Sequence, residues 1–397
     1  MITAAVLLAY LFCKIEGDST VMPDTQSWYS DDEDFASGSG GGNERGQDKL
    51  SCCVSGNFTF HSIADILNNI SSDNTIVNIT TDVVLFSNVI LEGLENIMII
   101  GHRNPVVKCN DVGAVKFISC KNITIEGIQW EECGSKDYPG IEFYNSSNVS
   151  LKTCSFHNLK GRSVLLSEVS GNVYIDNCNF THKSKYSGHG AAIHYILNTN
   201  SSNKHWLVVQ NCKFIFNRAT QSVVYIDGSG SRIPGHVYLQ DNVFVNNTGV
   251  PIYISHTNLH IRGSVLFKGN RAKSGGGIYS NNSTVIFYDK SDVNFISNSV
   301  RANGGAIYQV YSKIIFEANS VVTFNNKNAR NGGAINSNKS HTKFDAINNG
   351  GAVHCDETCA ILFHKSTIVT FNSNKASSDG GAVYTTRPSH IDKMVEP

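Results

Sequence analysis

The strongest constraint on this chain is a tandem repeat. In the second half Gly-Gly-small-Ile/Val recurs five times, at Gly275 to Ile278, Gly304 to Ile307, Gly332 to Ile335, Gly350 to Val353 and Gly380 to Val383, spaced 29, 28, 18 and 30 residues apart. Phe-x-x-Asn precedes several copies, as Phe267 to Asn270, Phe295 to Asn298 and Phe371 to Asn374, with Phe324-Asn325-Asn326 as a variant. The first half repeats another phrase of the same unit, apolar-x-apolar-x-x-Cys-x-Phe, ending in Cys154-x-Phe156, Cys178-x-Phe180 and Cys212-x-Phe214. Val237-x-Leu239 through Asn242-x-Phe244 is a degenerate copy, and Phe214 to Asn217 and Phe244 to Asn247 join the two phrases.

Within one unit, three short runs alternate apolar and polar residues between Gly, Asn and Ser turns: Gly277 to Ser280, Thr284 to Tyr288 and Val293 to Ser297. Period-2 alternation over so few residues is a strand signal. Three strands per repeat without a helix between them cannot build a βαβ sheet, so the fold predicted is all-β, a single-stranded parallel β-helix in which each strand pairs with its copy one turn away. At roughly 28 residues per turn, residues 75–387 would give about 11 turns stacked about 4.8 Å apart. Gly supplies left-handed corners, and Asn tolerates the same conformation and stacks in side-chain ladders. Inward Val, Ile and Phe would form columns of like residues, and Cys154, Cys178 and Cys212 share one repeat position, as buried thiols or as disulfides between turns.

Outside the repeat, Ile2 to Cys13 is mostly apolar but shorter than the roughly 20 residues that span a bilayer, so 1–17 reads as a secretory signal and no transmembrane span is expected. Residues 18–49, with Asp31 to Asp34 and the Gly/Ser run Ser37 to Gly42, have linker composition. In 50–74 Ile63, Ile66, Leu67 and Ile70 follow Ser62 at helical spacing, predicting an amphipathic helix over the first turn. Residues 388–397 read as a tail without a polar cap, which leaves the last turn open to end-to-end association. A formal net charge of −1 argues against a sequence-blind nucleic-acid binder. The signal, ten further cysteines and many Asn-x-Ser/Thr sequons suit a secreted or cell-surface glycoprotein.

The Gly-Gly-Ala-Ile and Phe-x-x-Asn phrases resemble the repeat of the polymorphic outer membrane proteins, a surface adhesin family. Asn122 to Trp130 and its relatives look like the right-handed β-helix, pectin-lyase-like superfamily. The resemblance covers roughly 75–387 and implies the fold; lyases, hydrolases and adhesins all share it. Adhesins of the named family carry a C-terminal membrane β-barrel that nothing here matches, so outer-membrane anchoring is not carried over. The combination looks more like secreted or surface β-helix proteins of animals.

Gly188-His189-Gly190 is similar to one motif of the polygalacturonase-type glycosidases, but that chemistry needs paired carboxylates and the nearest partner phrase is Asn198-Thr199-Asn200. Outward residues of the Cys-x-Phe strand form a column, Glu126, Lys152, Asp176, Gln210, Gln240 and Arg262, read as a charge-alternating solvated face. Cys355 and Cys359 are spaced for a local disulfide; a zinc site with His354 and His364 would lack a second Cys pair. No cofactor motif is present. The most informative outward column follows each corner, its successive members being His194, Tyr225, Tyr253, Tyr279, Tyr308, Asn336, His354 and Tyr384. In register, it is an aromatic ladder, either structural or a shelf for glycans or cell-surface proteins. The expected function is a non-enzymatic adhesion, recognition or matrix solenoid; the alternative is a polysaccharide lyase or glycoside hydrolase.

Overall fold

Thr75–Ile79 runs extended with Val77 and Ile79 inward, and the chain turns into Val83–Leu85 and then Val89–Glu92. The next circuit repeats the path: Glu95–Gly101, Val106–Cys109 and Val115–Ile118 each pair in parallel with the strand one turn before. Three faces result, here called sheets A, B and C in chain order. The computed structural model describes 50–54 and, with short breaks, 73–393; side chains are described from 73 to 338. The proposed signal, the linker, the helix over 62–70 and Cys359 lie outside the described residues, and so does any side-chain contact of Cys355, His354 or Tyr384. No helix occurs among the described residues, and none is long and apolar enough to cross a membrane.

Among the described residues the solenoid makes about nine turns, against about eleven anticipated for 75–387. Turns vary in length, with 34 residues between Cys178 and Cys212, and the copies at Gly350 and Gly380 fall on residues that are not described. The 18-residue spacing has a counterpart in the pairing. Val321–Asn325 of sheet B pairs directly with the end of Ala360–Phe371, although His341–Ala346 in sheet A and Val353–Asp356 in sheet C lie between them in sequence. Leu50–Val54 pairs with Thr75–Ile79, and Ile391–Lys393 with Ala360–Phe371, so strands also occur within the segments read as cap and tail.

Stacking like on like builds the core. Phe156, Phe180, Phe214, Phe244, Phe267, Phe295 and Phe324 form a column with adjacent ring centroids 4.5 to 5.1 Å apart, and Trp130 pairs below Phe156. Beside them the Asn of Phe-x-x-Asn turns inward. Asn217, Asn247 and Asn270 each donate from Nδ2 to Oδ1 of the next Asn, at 2.9, 2.9 and 3.0 Å, ending at Asn298. Each Nδ2 also reaches the carbonyl of the Phe one turn earlier, and each backbone N–H reaches the next Oδ1. The motif thus supplies partners where the corner leaves strand pairing.

Cys154, Cys178 and Cys212 form a second column, at the corner between sheets A and B; all three are buried free thiols. Their Sγ atoms face carbonyls of the preceding turn, Ile125, Leu151 and Ile175, and Asn242 takes over the position with Nδ2 at 2.7 Å from the Val209 carbonyl. Cys109 and Cys133 instead form a disulfide between consecutive turns, a pairing the sequence reading did not single out. On the surface, Asn74, Asn96, Asn122 and Asn148 sit at φ of 53 to 59° and link Nδ2 to Oδ1 at 2.8 to 3.0 Å. Gly275, Gly304 and Gly332 take left-handed φ at the Gly-Gly corners, and a Cβ on Gly276 would collide with the Gly305 carbonyl of the next turn.

The internal ladder should outweigh the external one. Asn270→Ala strips an acceptor from two buried donors of Asn247 and should cost about 3 kcal/mol in urea unfolding, whereas Asn122→Gly should cost less than about 1 kcal/mol. Equal costs would refute the stabilising role of the inner ladder.

Candidate functional site

The outward column that follows the corners into sheet C is in register throughout. His194 pairs with Tyr225, Tyr225 with Tyr253, Tyr253 with Tyr279, Tyr279 with Tyr308, and Tyr308 with Asn336. The backbone register continues through His354 to Tyr384. Inward neighbours set this orientation: Ile193, Val224, Ile252, Ile278 and Ile307 are buried, so strand alternation sends the next residue outward. Tyr253 and Tyr279 stack with centroids 4.5 Å apart; Tyr225 lies 5.2 Å from Tyr253, and Tyr308 meets Tyr279 edge-on at 5.0 Å.

The column is not uniform. At Tyr253, Tyr279 and Tyr308 the rings are half-buried, and among the described residues their hydroxyls have no hydrogen-bond partner. At its start the column closes over: His194 is buried, and His189, from the Gly-His-Gly corner, covers Tyr225 and Tyr253 at centroid distances of 4.4 and 5.0 Å. His189 Nδ1 lies 3.0 Å from Ser222 Oγ, Arg162 Nε donates to the His189 carbonyl at 3.4 Å, and the Arg162 guanidinium lies over Tyr186. The Tyr225 hydroxyl donates to Asp227 Oδ2 at 3.1 Å. Burial, with the adjacent Asp227 carboxylate, pushes the Tyr225 phenol well up. Burial raises Tyr279 to about 12, and burial with Arg162 lowers His189.

The column Glu126, Lys152, Asp176, Gln210, Gln240 and Arg262 is likewise in register on sheet A. Its end joins a cluster that sequence reasoning missed. His236 Nδ1 lies 3.0 Å from His260 Nε2, and His260 Nδ1 lies 3.0 Å from the Tyr288 hydroxyl. Arg262 sits over the rings of Tyr238 and Tyr288, at 5.2 and 4.4 Å. Register between Val237-x-Leu239 and Leu259-x-Ile261 was the available signal, since it places Tyr238 beside His260. Among the described residues no three His, Cys, Asp or Glu side chains are grouped to hold a metal ion.

His194 is held to about 3 first by burial, then by the charges of Arg162 and His189, with Asp227 opposing. The unfolded chain takes up this proton near pH 6.5 and the folded chain does not, so stability present above pH 6.5 is lost as pH falls toward 3. Replacing His194 by Asn, the residue the same column uses at Asn336, should reduce the drop in unfolding free energy between pH 7 and pH 5 by about 2 kcal/mol, read from urea midpoints. An unchanged drop would show that His194 takes up its proton in the folded state.

Known proteins provide a comparison for this geometry. Residues 102–266 match the right handed beta helix region, and residues 264–281, 292–309 and 368–386 match the Chlamydia polymorphic membrane protein repeat. No curated protein matches the chain. Among solved structures it is similar to ORF18 of Geobacillus virus E2 (14% identity, TM-score 0.41, 83% of this chain and 57% of that one). It is also similar to PfbA, a surface adhesin of Streptococcus pneumoniae (12%, 0.38, 78% and 86%), and to the Dettilon tailspike protein gp208 (14%, 0.26, 82% and 64%). The chain thus spans little more than half the length of the viral ORF18 structure. It carries a right-handed β-helix region followed by Chlamydia polymorphic membrane protein repeats, on a β-solenoid.

Proposed function

We propose that this solenoid is a non-enzymatic recognition or adhesion module of the cell surface or extracellular space, binding glycans on the aromatic ladder of sheet C. The observation that carries the reading is the run Tyr253, Tyr279 and Tyr308: consecutive half-buried rings whose hydroxyls have no partner among the described residues, with His189 reaching only the edge of the first. Sugar rings have apolar faces that lie against aromatic rings, and the free hydroxyls supply polar contacts at the edges. The Cys109–Cys133 disulfide is consistent with an oxidising compartment.

The alternative, a polysaccharide lyase or glycoside hydrolase, draws on His189, Arg162, Tyr225 and Asp227. Tyr225 is a poor base there, because burial and Asp227 both hold its proton. Turnover of pectic or uronic polysaccharides, with or without calcium, that is lost in His189→Ala would establish the enzyme reading instead.

Replacing Tyr253, Tyr279 and Tyr308 together by Ser should lower glycan-array binding at least about tenfold, with the far-UV spectrum retained. Binding equal to that of the unaltered chain would overturn the ladder as the site.

A further inference from the structure

The corner between sheets B and C carries a second surface whose charge and shape differ from those of the ladder. Arg218, Lys268, Arg271, Lys273, Arg301 and Arg330 are all exposed there. The segments that form it, 213–221, 243–249, 264–274, 295–303 and 329–331, contain no Asp or Glu. Of the carboxylates of the same turns, Asp241, Asp289, Asp292 and Glu317 lie toward the other end of sheet B, at the corner with sheet A, and Asp227 lies at the far end of sheet C. The ion pairs among the described residues, Lys108–Glu132, Lys116–Glu142 and Lys121–Glu95, all belong to earlier turns.

The cations are ordered by the rungs. Arg218 pairs with Thr248 and Thr248 with Arg271, so the two arginines stand two rungs apart, roughly 10 Å. Between them is a cleft of about 400 Å³ walled by Phe216, Arg218, Asn246, Thr248 and Arg271, with Gly269 leaving part of its lining without a side chain.

Phe216, on one wall of this cleft, is itself unusual. Its φ is 56°, and its side chain is 52% exposed. Other turns fill the same left-handed corner with Glu132, Asn158, Asn246, Gly269 and Ser297, none of them a bulky aromatic. The left-handed backbone is strained for a bulky aromatic, and half of the residue's surface is open to solvent. Strain of this kind points to function.

We propose that this corner binds an anionic polysaccharide, sulfated or uronic, with a sugar ring against Phe216 and its charged groups on Arg218 and Arg271. Guanidinium groups stay charged at all relevant pH and pair with sulfate or carboxylate through two parallel hydrogen bonds. An anionic polymer lying along the corner meets cations on successive rungs. A bilayer would need a flat basic face rather than a cleft, and a nucleic-acid strand would need an aromatic platform for each base, whereas the cleft offers one ring. The site is separate from the sheet C ladder and does not depend on it.

The test uses the full chain, with heparin, polygalacturonate, neutral dextran, duplex DNA and phosphatidylserine vesicles as probes, titrated at two salt concentrations. Heparin, polygalacturonate or both should bind, more weakly at high salt, and dextran should not. Binding to heparin alone assigns sulfate as the recognised group, and to polygalacturonate alone, carboxylate. The double variant Arg218→Ser, Arg271→Ser should weaken binding about tenfold or more, while Arg262→Ser, an exposed cation on sheet A, should leave it unchanged. Phe216→Asn should weaken binding while holding or raising the melting temperature, a combination that a structural role for the ring would not produce. The Tyr253, Tyr279, Tyr308→Ser variant should keep this binding. The proposal is overturned if neither polyanion binds, if DNA or vesicles bind as tightly, if Arg262→Ser weakens binding as much as the double variant, or if only the Tyr variant loses it.

Discussion

The described strands stack in parallel over their copies one turn away, in register apart from local bulges, and the rest of the structure follows from that stacking. Inward positions then meet their like: Phe on Phe, Asn on Asn, Cys on Cys. Strand pairing satisfies backbone groups along the faces but lapses at the corners, where unpaired N–H and C=O groups inside the core would be costly. Each corner answers with an inward polar ladder. Asn217 to Asn298 serve the corner between B and C, the thiols and Asn242 the corner between A and B, and Ser283 and Ser312 the corner between C and A.

The same constraint decides what could be read from the residues alone. Phe-x-x-Asn, Cys-x-Phe and Gly-Gly are visible because stacking demands one residue type at one position in turn after turn. The ladder from His194 through Asn336 was legible for a related reason, since the buried Ile or Val before each member fixes which way it points. Glu126 to Arg262 followed from the same alternation. Cys109 and Cys133 were not legible as a pair: they do not share the repeat position of the other cysteines. The His236, His260, Tyr288 cluster was legible only in part: repeat register sets Tyr238 beside His260, but the atoms in contact come from different outward columns of neighbouring turns.

Phe216 shows why outward positions inform on function differently from inward ones. An inward Phe is explained by the column it completes, and nothing further need be said. An outward residue at a left-handed corner has no such partner, and its neighbours show what the backbone prefers, Asn246 and Gly269 among them. A residue that violates this local preference and exposes an apolar ring is unexplained by the fold, and the adjacent arginines supply the missing context.

The tyrosine ladder is a mixed case, and stacking explains how it can serve both structure and binding. Each inner ring touches the one before and the one after, so the column contributes to cohesion between turns whether or not anything binds. That contact also restricts the side-chain rotamers before a ligand arrives. A loose aromatic on a loop loses rotamer freedom on binding, at about 0.5 to 1.5 kcal/mol for each side chain immobilised. A ring already wedged between two others loses little of it. Cohesion and the proposed recognition therefore do not compete: the contacts that tie consecutive turns together also hold the rings of the face in place.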